Sequence, residues 1–481
     1  MQLARLHARQ DNERIAGSEG PPARTRKPRM TTPFVSPDEI RSRFARAMST
    51  MYRTEVPQYG TLVELVEAIN AEVLAADPAL RARLDAAGEL ARINLERHGA
   101  IRLGTARELA TMRRLFAVMG MAPVGYYDLS VAGVPVHSTA FRPVDEAALS
   151  RNPFRVFTSL LRLELIDDAA LRAQAEAVLA RREIFTAGAV ALIERAEQAG
   201  GLDSDEADRF VAQALETFRW HREATVDAPT YKALAAAHRL IADVVCFKGP
   251  HINHLTPRTL DIDAAQAGMP PRGIAAKDVV EGPPRRAVPI LLRQTSFKAL
   301  EEPIHFLDGE GTHTARFGEI EQRGLALTRK GRALYDSLLD RARGTQGSTG
   351  GDYPQRLAAA FADFPDDEAA LRREGLGFFR YAATAAGRAL HDAARAQQPM
   401  EALIEAGLAT ATPIVYEDFL PVSAAGIFQS NLGGDEQKAY AANANRAAFE
   451  TALGTAVHDE FALYDQAQTR SIEATRQALA G

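Results

Sequence analysis

Two histidine-led passages hold the side chains best suited to chemistry. The first reads His98-Gly99-Ala100-Ile101-Arg102. The second opens on His251-Ile252-Asn253-His254-Leu255-Thr256 and closes on Phe317-Gly318-Glu319-Ile320-Glu321-Gln322-Arg323-Gly324. Two neutral imidazoles and one carboxylate on one face of a metal, with other positions open, form the ligand set of non-haem iron(II) oxygenases. Side chains two apart on a strand share a face. His251 and His254 are three apart, so a regular strand sends only one of them to a metal. Glu319 and Glu321 share a face, and parity leaves both open. From His98, alternation puts Ala100 and Arg102 on the same face, with Arg102 roughly 13 Å along. A guanidinium there suits the far carboxylate of an extended acid. A salt bridge to a helix carboxylate is the plainer alternative.

These side chains need elements to hold them. Ser36-Pro37-Asp38-Glu39 has the form of a helix start, and residues 37–97 read as helical. Residues 98–102 read as a strand. Thr105 and Glu108 form a capping box for a helix that stops at Gly120. Strands over 126–131 and 134–141 flank the turn Ala132-Gly133, giving β-α-β-β across 98–143. Residues 144–245 read as a mostly helical insert. The order recurs over 246–325. There, 251–256 is a strand candidate, Thr259 or Asp261 caps a short helix ending at Gly268, and strands follow over 289–300 and 312–323. Residues 326–481 read as mainly helical, with a Gly/Ser/Thr-rich loop at 344–351, a strand candidate at 378–381, and one or two helices over 435–480. The class predicted is α+β.

Composition narrows the function. The net charge of -5 supplies no basic field, which argues against nucleic acid as a partner. Cys246 is the single cysteine, so no intrachain disulfide forms and a structural zinc site of the multi-cysteine kind is excluded. A reducing compartment is permitted, and the cytoplasm is expected. No apolar run approaches the roughly 20 residues that span a bilayer. There is no G-x-S-x-G elbow, no Walker loop and no G-x-G-x-x-G fingerprint. Residues 1–29 are Arg-rich without an apolar stretch, and are expected to be a disordered tail or an upstream start before Met30. Residues 30–481 are expected to form one catalytic unit.

Six blocks in order resemble the 2-oxoadipate dioxygenase/decarboxylase family, also called hydroxyglutarate synthase. They are His98-Gly-Ala-Ile-Arg102, Gly125-Tyr-Tyr-Asp-Leu129, Pro135-Val-His-Ser-Thr-Ala-Phe-Arg-Pro143, His251-Ile-Asn-His254-Leu-Thr-Pro-Arg258, Phe317-Gly-Glu-Ile-Glu-Gln-Arg-Gly324 and Tyr416-Glu-Asp-Phe-Leu-Pro-Val-Ser-Ala-Ala-Gly426. The resemblance runs from about Met30 to the C-terminus. It implies a vicinal-oxygen-chelate-like core of β-α-β-β-β modules forming a mixed sheet or half-barrel around a metal, with large helical insertions and a helical C-terminus. It implies iron(II) on His98, His254 and Glu321, the last less firmly against Glu319. It places Arg102 on the substrate carboxylate, with Arg323, Val422 and Ser423 as further substrate-binding residues. The implied reaction takes 2-oxoadipate and O₂ to D-2-hydroxyglutarate and CO₂, a step of lysine breakdown. A related enzyme for another 2-oxo acid, or a metal-dependent oxo-acid sensor, would need the same residues. Oxygen consumption separates enzyme from sensor.

Overall fold

The computed structural model describes residues 33–343, 353–420 and 436–481. The N-terminal tail, the loop at 344–351 and the pair Val422 and Ser423 lie outside them. The chain opens with α1 (Pro37–Glu55), α2 (Pro57–Ala76) and α3 (Pro78–Ala86). Each starts on a proline, whose missing N–H costs nothing in a first turn. Ser36 and Asp77 cap α1 and α3 through their side chains. One face of α1 buries Phe44, Met48 and Tyr52, and Phe44 meets Phe154 and Phe218 edge-on. Burying each such ring contributes about 1.5–3 kcal/mol.

The first module follows as β1 (Arg97–Leu103), α4 (Ala106–Val118), β2 (Ala122–Asp128), β3 (Val136–Arg142), α5 (Glu146–Arg151) and β4 (Arg155–Leu161). The capping box expected at Thr105 and Glu108 is formed. The strand β4 lies inside the stretch expected to be a helical insert. Its run Arg155-Val-Phe-Thr-Ser-Leu-Leu161 is buried at every position. A strand covered on both faces loses the alternation that marks a half-buried one. The module is therefore β-α-β-β-β and extends past residue 143.

Helices α6 (Ala169–Ala180), α7 (Ala187–Ala199), α8 (Ser204–Leu215), α9 (Ala228–Ala237) and α10 (Arg239–Val245) lead to the second module. This is β5 (Leu255–Pro257), α11 (Ile262–Gly268), β6 (Leu292–Ser296), β7 (Glu301–Phe306), β8 (Gly309–Thr314) and β9 (Glu319–Arg323). Asp261 caps α11. β7 and β8 form a hairpin. The expected continuous strand over 312–323 is thus two strands, with Ala315 to Gly318 between them. The remainder is α12 (Arg329–Arg343), further short helices, a ribbon of β10 (Phe379–Ala383) with β11 (Ala409–Pro413), and two helices, Glu436–Leu453 and Glu460–Ala480.

The main sheet has the order β2-β3-β4-β1-β5. β1 lies between β4, to which it is parallel, and the edge strand β5, to which it is antiparallel. β6 pairs with β9. Beyond β5, Arg258 bridges Glu321, and the Thr259 N–H donates to the Glu321 carbonyl at 2.7 Å. That step carries the first sheet's edge onto β9. The architecture is α+β, with a mixed sheet wrapped by helices. No helix among the described residues is long and apolar enough to cross a membrane.

Candidate metal centre

β1 and β9 meet across β5, and their polar side chains converge. In β1, His98 lies opposite Arg155 of β4 and Thr256 of β5. Gly99 lets the chain before β5 come close: a Cβ there would lie 2.6 Å from Ile252 Cδ1 and 2.8 Å from the His254 carbonyl. The Asn253 N–H then donates to Ala100 O at 2.9 Å, and the Phe317 N–H to Asn253 O at 3.0 Å. From α1, the Tyr52 hydroxyl reaches the carbonyls of Asn253 (3.0 Å) and Phe317 (2.6 Å). His254 and Glu319 are thereby set in register.

His98, His254 and Glu319 each present a ligand atom within 4.8 Å of the other two, and all three are buried. Glu319 Oε1 lies 3.0 Å from His98 Nε2 and 3.9 Å from His254 Nε2. The same oxygen accepts from Gln294 Nε2 at 2.9 Å and Thr256 Oγ1 at 3.1 Å. The rings of His98 and His254 stand edge to face at 5.4 Å, and Phe419 and Phe317 pack against them.

Glu321, the expected third ligand, faces the opposite side of the imidazole. Its Oε2 lies 3.1 Å from His98 Nδ1, and its Oε1 accepts from Arg323 Nε at 2.8 Å. Glu319 and Glu321 share a strand face as their spacing requires, so both reach His98, one at each ring nitrogen. Only Glu319 also lies near His254. Neither belongs to the solvated face that such a charged strand usually forms, because both are buried.

Charge fits a cation here. Burial pushes His98 toward neutrality, but Glu321 and Glu319 outweigh it and raise its pKa. Burial holds His254 down at about 4, so its imidazole is neutral near pH 7. Burial raises Glu319, and the two histidines more than offset it. Burial likewise opposes ionisation of Glu321, but Arg323 and His98 keep its pKa at about 2. A metal about 2.1 Å from each donor places adjacent donors roughly 3 Å apart, close to the His98–Glu319 separation. His254 Nδ1 is buried without a hydrogen-bond partner among the described residues. Two neutral-capable imidazoles and a carboxylate suit a divalent transition metal, and three protein ligands leave positions open for small ligands.

The other expected site residues separate into different settings. His251 parts from His254 and lies 3.6 Å from Asp243. Arg102 donates to Asp243 at 2.7 Å, the salt bridge to a helix carboxylate that its spacing also allowed. Arg323 is committed to protein partners. Besides Glu321 it reaches Glu96 at 3.5 Å and the carbonyls of Tyr416 and Asp418 at 2.9 Å each. It belongs to a buried ionic network of four guanidiniums and four carboxylates: Arg92, Arg155, Arg258 and Arg323 with Glu89, Glu96, Glu321 and Glu417. Beside it, Arg142 grips Asp418 with two hydrogen bonds of 2.6 and 3.0 Å. Sequence reasoning missed this network. Glu417 and Asp418 lie in a conspicuous block, but nothing in a single sequence pairs them with arginines more than 250 residues away.

Comparison with known proteins identifies the family. The family model for 2-oxoadipate dioxygenase/decarboxylase matches residues 44–431. The chain belongs to this family. A curated family member from Pseudomonas putida, named 2-oxoadipate dioxygenase/decarboxylase, is 61% identical over 454 residues, covering 93% of this chain and 98% of that protein. The relative of the same name from Escherichia coli is 60% identical, covering 91% and 98%. The crystal structure of the Pseudomonas putida hydroxyglutarate synthase in complex with 2-oxoadipate superposes with a TM-score of 0.87 at 60% identity, covering 93% of this chain and 99% of that one.

Proposed function

We propose that this protein converts 2-oxoadipate and O₂ to D-2-hydroxyglutarate and CO₂, using iron(II) held by His98, His254 and Glu319. The observation that carries this reading is the buried convergence of those three side chains in a chain of this family. Glu319 takes the third position in place of the expected Glu321, because it alone of the two lies near both histidines. The named activity of the Pseudomonas putida relative supplies the substrate class. Iron(II), when bound, would bind a 2-oxo acid and activate O₂ beside it.

The chain's own residues do the positioning. Glu321 Oε2 stands 3.1 Å from Nδ1 of His98 and would hold the ring with Nε2 toward a metal; such outer carboxylates fix the tautomer of a ligating histidine. Ala100, Phe157 and Phe419 belong to one buried apolar cluster beside the histidines. They would cover the methylene chain of the acid and keep water from it. Arg102 lies on the His98 face of β1 and is partly exposed, and its positive charge lowers the pKa of His254. Among the described residues its hydrogen bonding is to Asp243 alone, which leaves guanidinium N–H groups for a distal carboxylate. Arg323 anchors the segment before Val422 and Ser423. We place the reaction in the cytoplasm and in lysine breakdown, on the chemistry of the substrate and the lone buried thiol of Cys246.

The test is an oxygen electrode with a panel of 2-oxo acids, with iron content measured and the product resolved by hand. One hydroxyglutarate per O₂ with 2-oxoadipate supports the reading. Tight binding without oxygen consumption would replace it with an oxo-acid sensor.

A further inference from the structure

Behind Arg102 lies a second cluster of histidines and one carboxylate. Asp243, on α10, is buried. Its Oδ2 accepts from Arg102 Nη1 at 2.7 Å, and its Oδ1 lies 2.9 Å from His313 Nε2. The far nitrogen of that ring, Nδ1, lies 2.8 Å from the Tyr231 hydroxyl. The four groups form one chain, Arg102–Asp243–His313–Tyr231, that joins β1 to α10, β8 and α9. The chain has one consistent proton arrangement with a neutral ring: Tyr231 donates to Nδ1, Nε2–H donates to Asp243, and Asp243 accepts from Arg102. His251 Nε2 stands 3.6 Å from the same Oδ1, and Trp220 lies parallel to the His313 ring at 6.0 Å and edge-on to His251 at 4.7 Å. Asp243 is thus fixed from behind before any substrate arrives.

An unheld arginine of this length would sample many rotamers, and each diacid could draw it to a different place. A guanidinium tied on one edge to a fixed carboxylate has a single resting position. We infer that Asp243 is a positioning residue that makes Arg102 a ruler: it fixes the distance between the histidine cluster and the carboxylate clamp, and so selects the chain length of the 2-oxo diacid. This rests on the reading of Arg102 as the clamp for the distal carboxylate. Selectivity then comes from preorganisation. An acid one carbon too short or too long must displace a guanidinium that is already hydrogen-bonded.

The experiment uses the iron-loaded protein and four acids: 2-oxoglutarate, 2-oxoadipate, 2-oxopimelate and the monoacid 2-oxohexanoate. It measures kcat/KM, hydroxy-acid product formed per O₂ consumed, and anaerobic Kd for each acid. Asp243→Asn is expected to lower the preference for 2-oxoadipate over its shorter and longer neighbours by at least about tenfold, with the monoacid nearly unchanged. Tyr231→Phe removes only the outermost hydroxyl, preserves the packing, and is expected to relax the same preference by a few-fold. In an Arg102→Ala background, Asp243→Asn should change no ratio further. Arg102→Ala losing diacid and monoacid activity in equal proportion would defeat the clamp reading itself. Arg102→Ala hurting diacids selectively, while Asp243→Asn and Tyr231→Phe scale all four acids together, would overturn the ruler and leave the clamp intact. Should Asp243→Asn not fold, Tyr231→Phe with unchanged length ratios overturns the inference by itself.

Discussion

Two buried clusters of histidine and carboxylate sit close together in this molecule, and they differ in how their nitrogens are used. Around Asp243, both nitrogens of His313 have partners, and both carboxylate oxygens are engaged. Around Glu319, among the described residues, His254 Nδ1 has no hydrogen-bond partner, and Nε2 stands 3.9 Å from the nearest carboxylate. Leaving a buried polar atom unpaired costs about 1–3 kcal/mol. A fold keeps such atoms where something else completes them. The closed cluster holds a side chain in place. The open one has donors that a cation would complete. Residue types alone, histidines beside a carboxylate in each case, do not distinguish them.

The sharpest way to break this contrast is to remove histidines from each side. His98→Ala, His254→Ala and Glu319→Gln should abolish iron binding and turnover while the fold persists. His251→Ala, from the closed cluster, should keep one iron per chain. Metal analysis of the four purified variants decides it, and iron retained in His254→Ala but lost in His251→Ala would exchange the roles of the two clusters.

The ionic network behind the open cluster should give the next largest effect. Arg155→Ala leaves the buried network one positive charge short, since Glu96 and Glu417 keep Arg92 but lose the fully buried guanidinium between them, and should cost about 3–5 kcal/mol in denaturant unfolding. Arg102→Ala exposes a carboxylate that keeps His313 as a partner, and should cost less. Equal losses would mean that the network is no more structural than the Arg102 pair.

Glu321→Gln should weaken iron binding by about 10–100-fold without abolishing it, because Glu321 orients His98 from outside the ligand set. A chelator titration measures this. Complete loss of iron, with Glu319→Gln still loaded, would restore Glu321 as the ligand.

The smallest contrast is in proton binding, with His137, buried outside both clusters, as the reference. Burial holds it at about 4, below the ordinary 6.5. As pH falls from 6.5 toward 4, the unfolded chain takes up a proton that the folded one refuses. Stability therefore falls with pH in that window, by up to ~1.4 kcal/mol per pH unit for each such proton. His137→Gln should flatten the fall by one histidine's share. Urea unfolding across that window tests it, and parallel slopes for the two proteins would refute it.

Much of this was legible in the sequence where the signal is local. Ser36, Thr105 and Asp261 cap helices where their types and neighbours indicate. His251 and His254 do part, but the strand expected over 251–256 begins only at Leu255, so strand alternation is not what separates them. The choice between Glu319 and Glu321 was not legible, since both lie on one strand face and the outcome depends on which lies nearer His254, a contact across some 65 residues. β4 was hidden by being buried on both sides. The β7–β8 hairpin was hidden because its two-residue turn, Leu307-Asp308, lacks the Asn-Gly or Asp-Gly centre that marks tight hairpins. Arg102 was read with two partners, substrate or helix carboxylate. Asp243 makes the second a fact and is compatible with the first.

The attachment of Glu417 and Asp418 has a consequence for anyone who rebuilds this protein. These two residues, which lead into the Pro421-Val422-Ser423 stretch, are gripped by Arg92, Arg155 and Arg142 from three distant parts of the chain. Apolar packing tolerates exchange of one side chain for another of similar volume. A lattice of charges does not. A segment from a distant relative grafted at 416–420 will seat only if its carboxylates arrive together with the arginines that receive them. For recombination, the unit of inheritance is the set of mated ions, scattered from residue 92 to residue 418, and crossover points that divide it will yield chimeras that misfold before their specificity can be read.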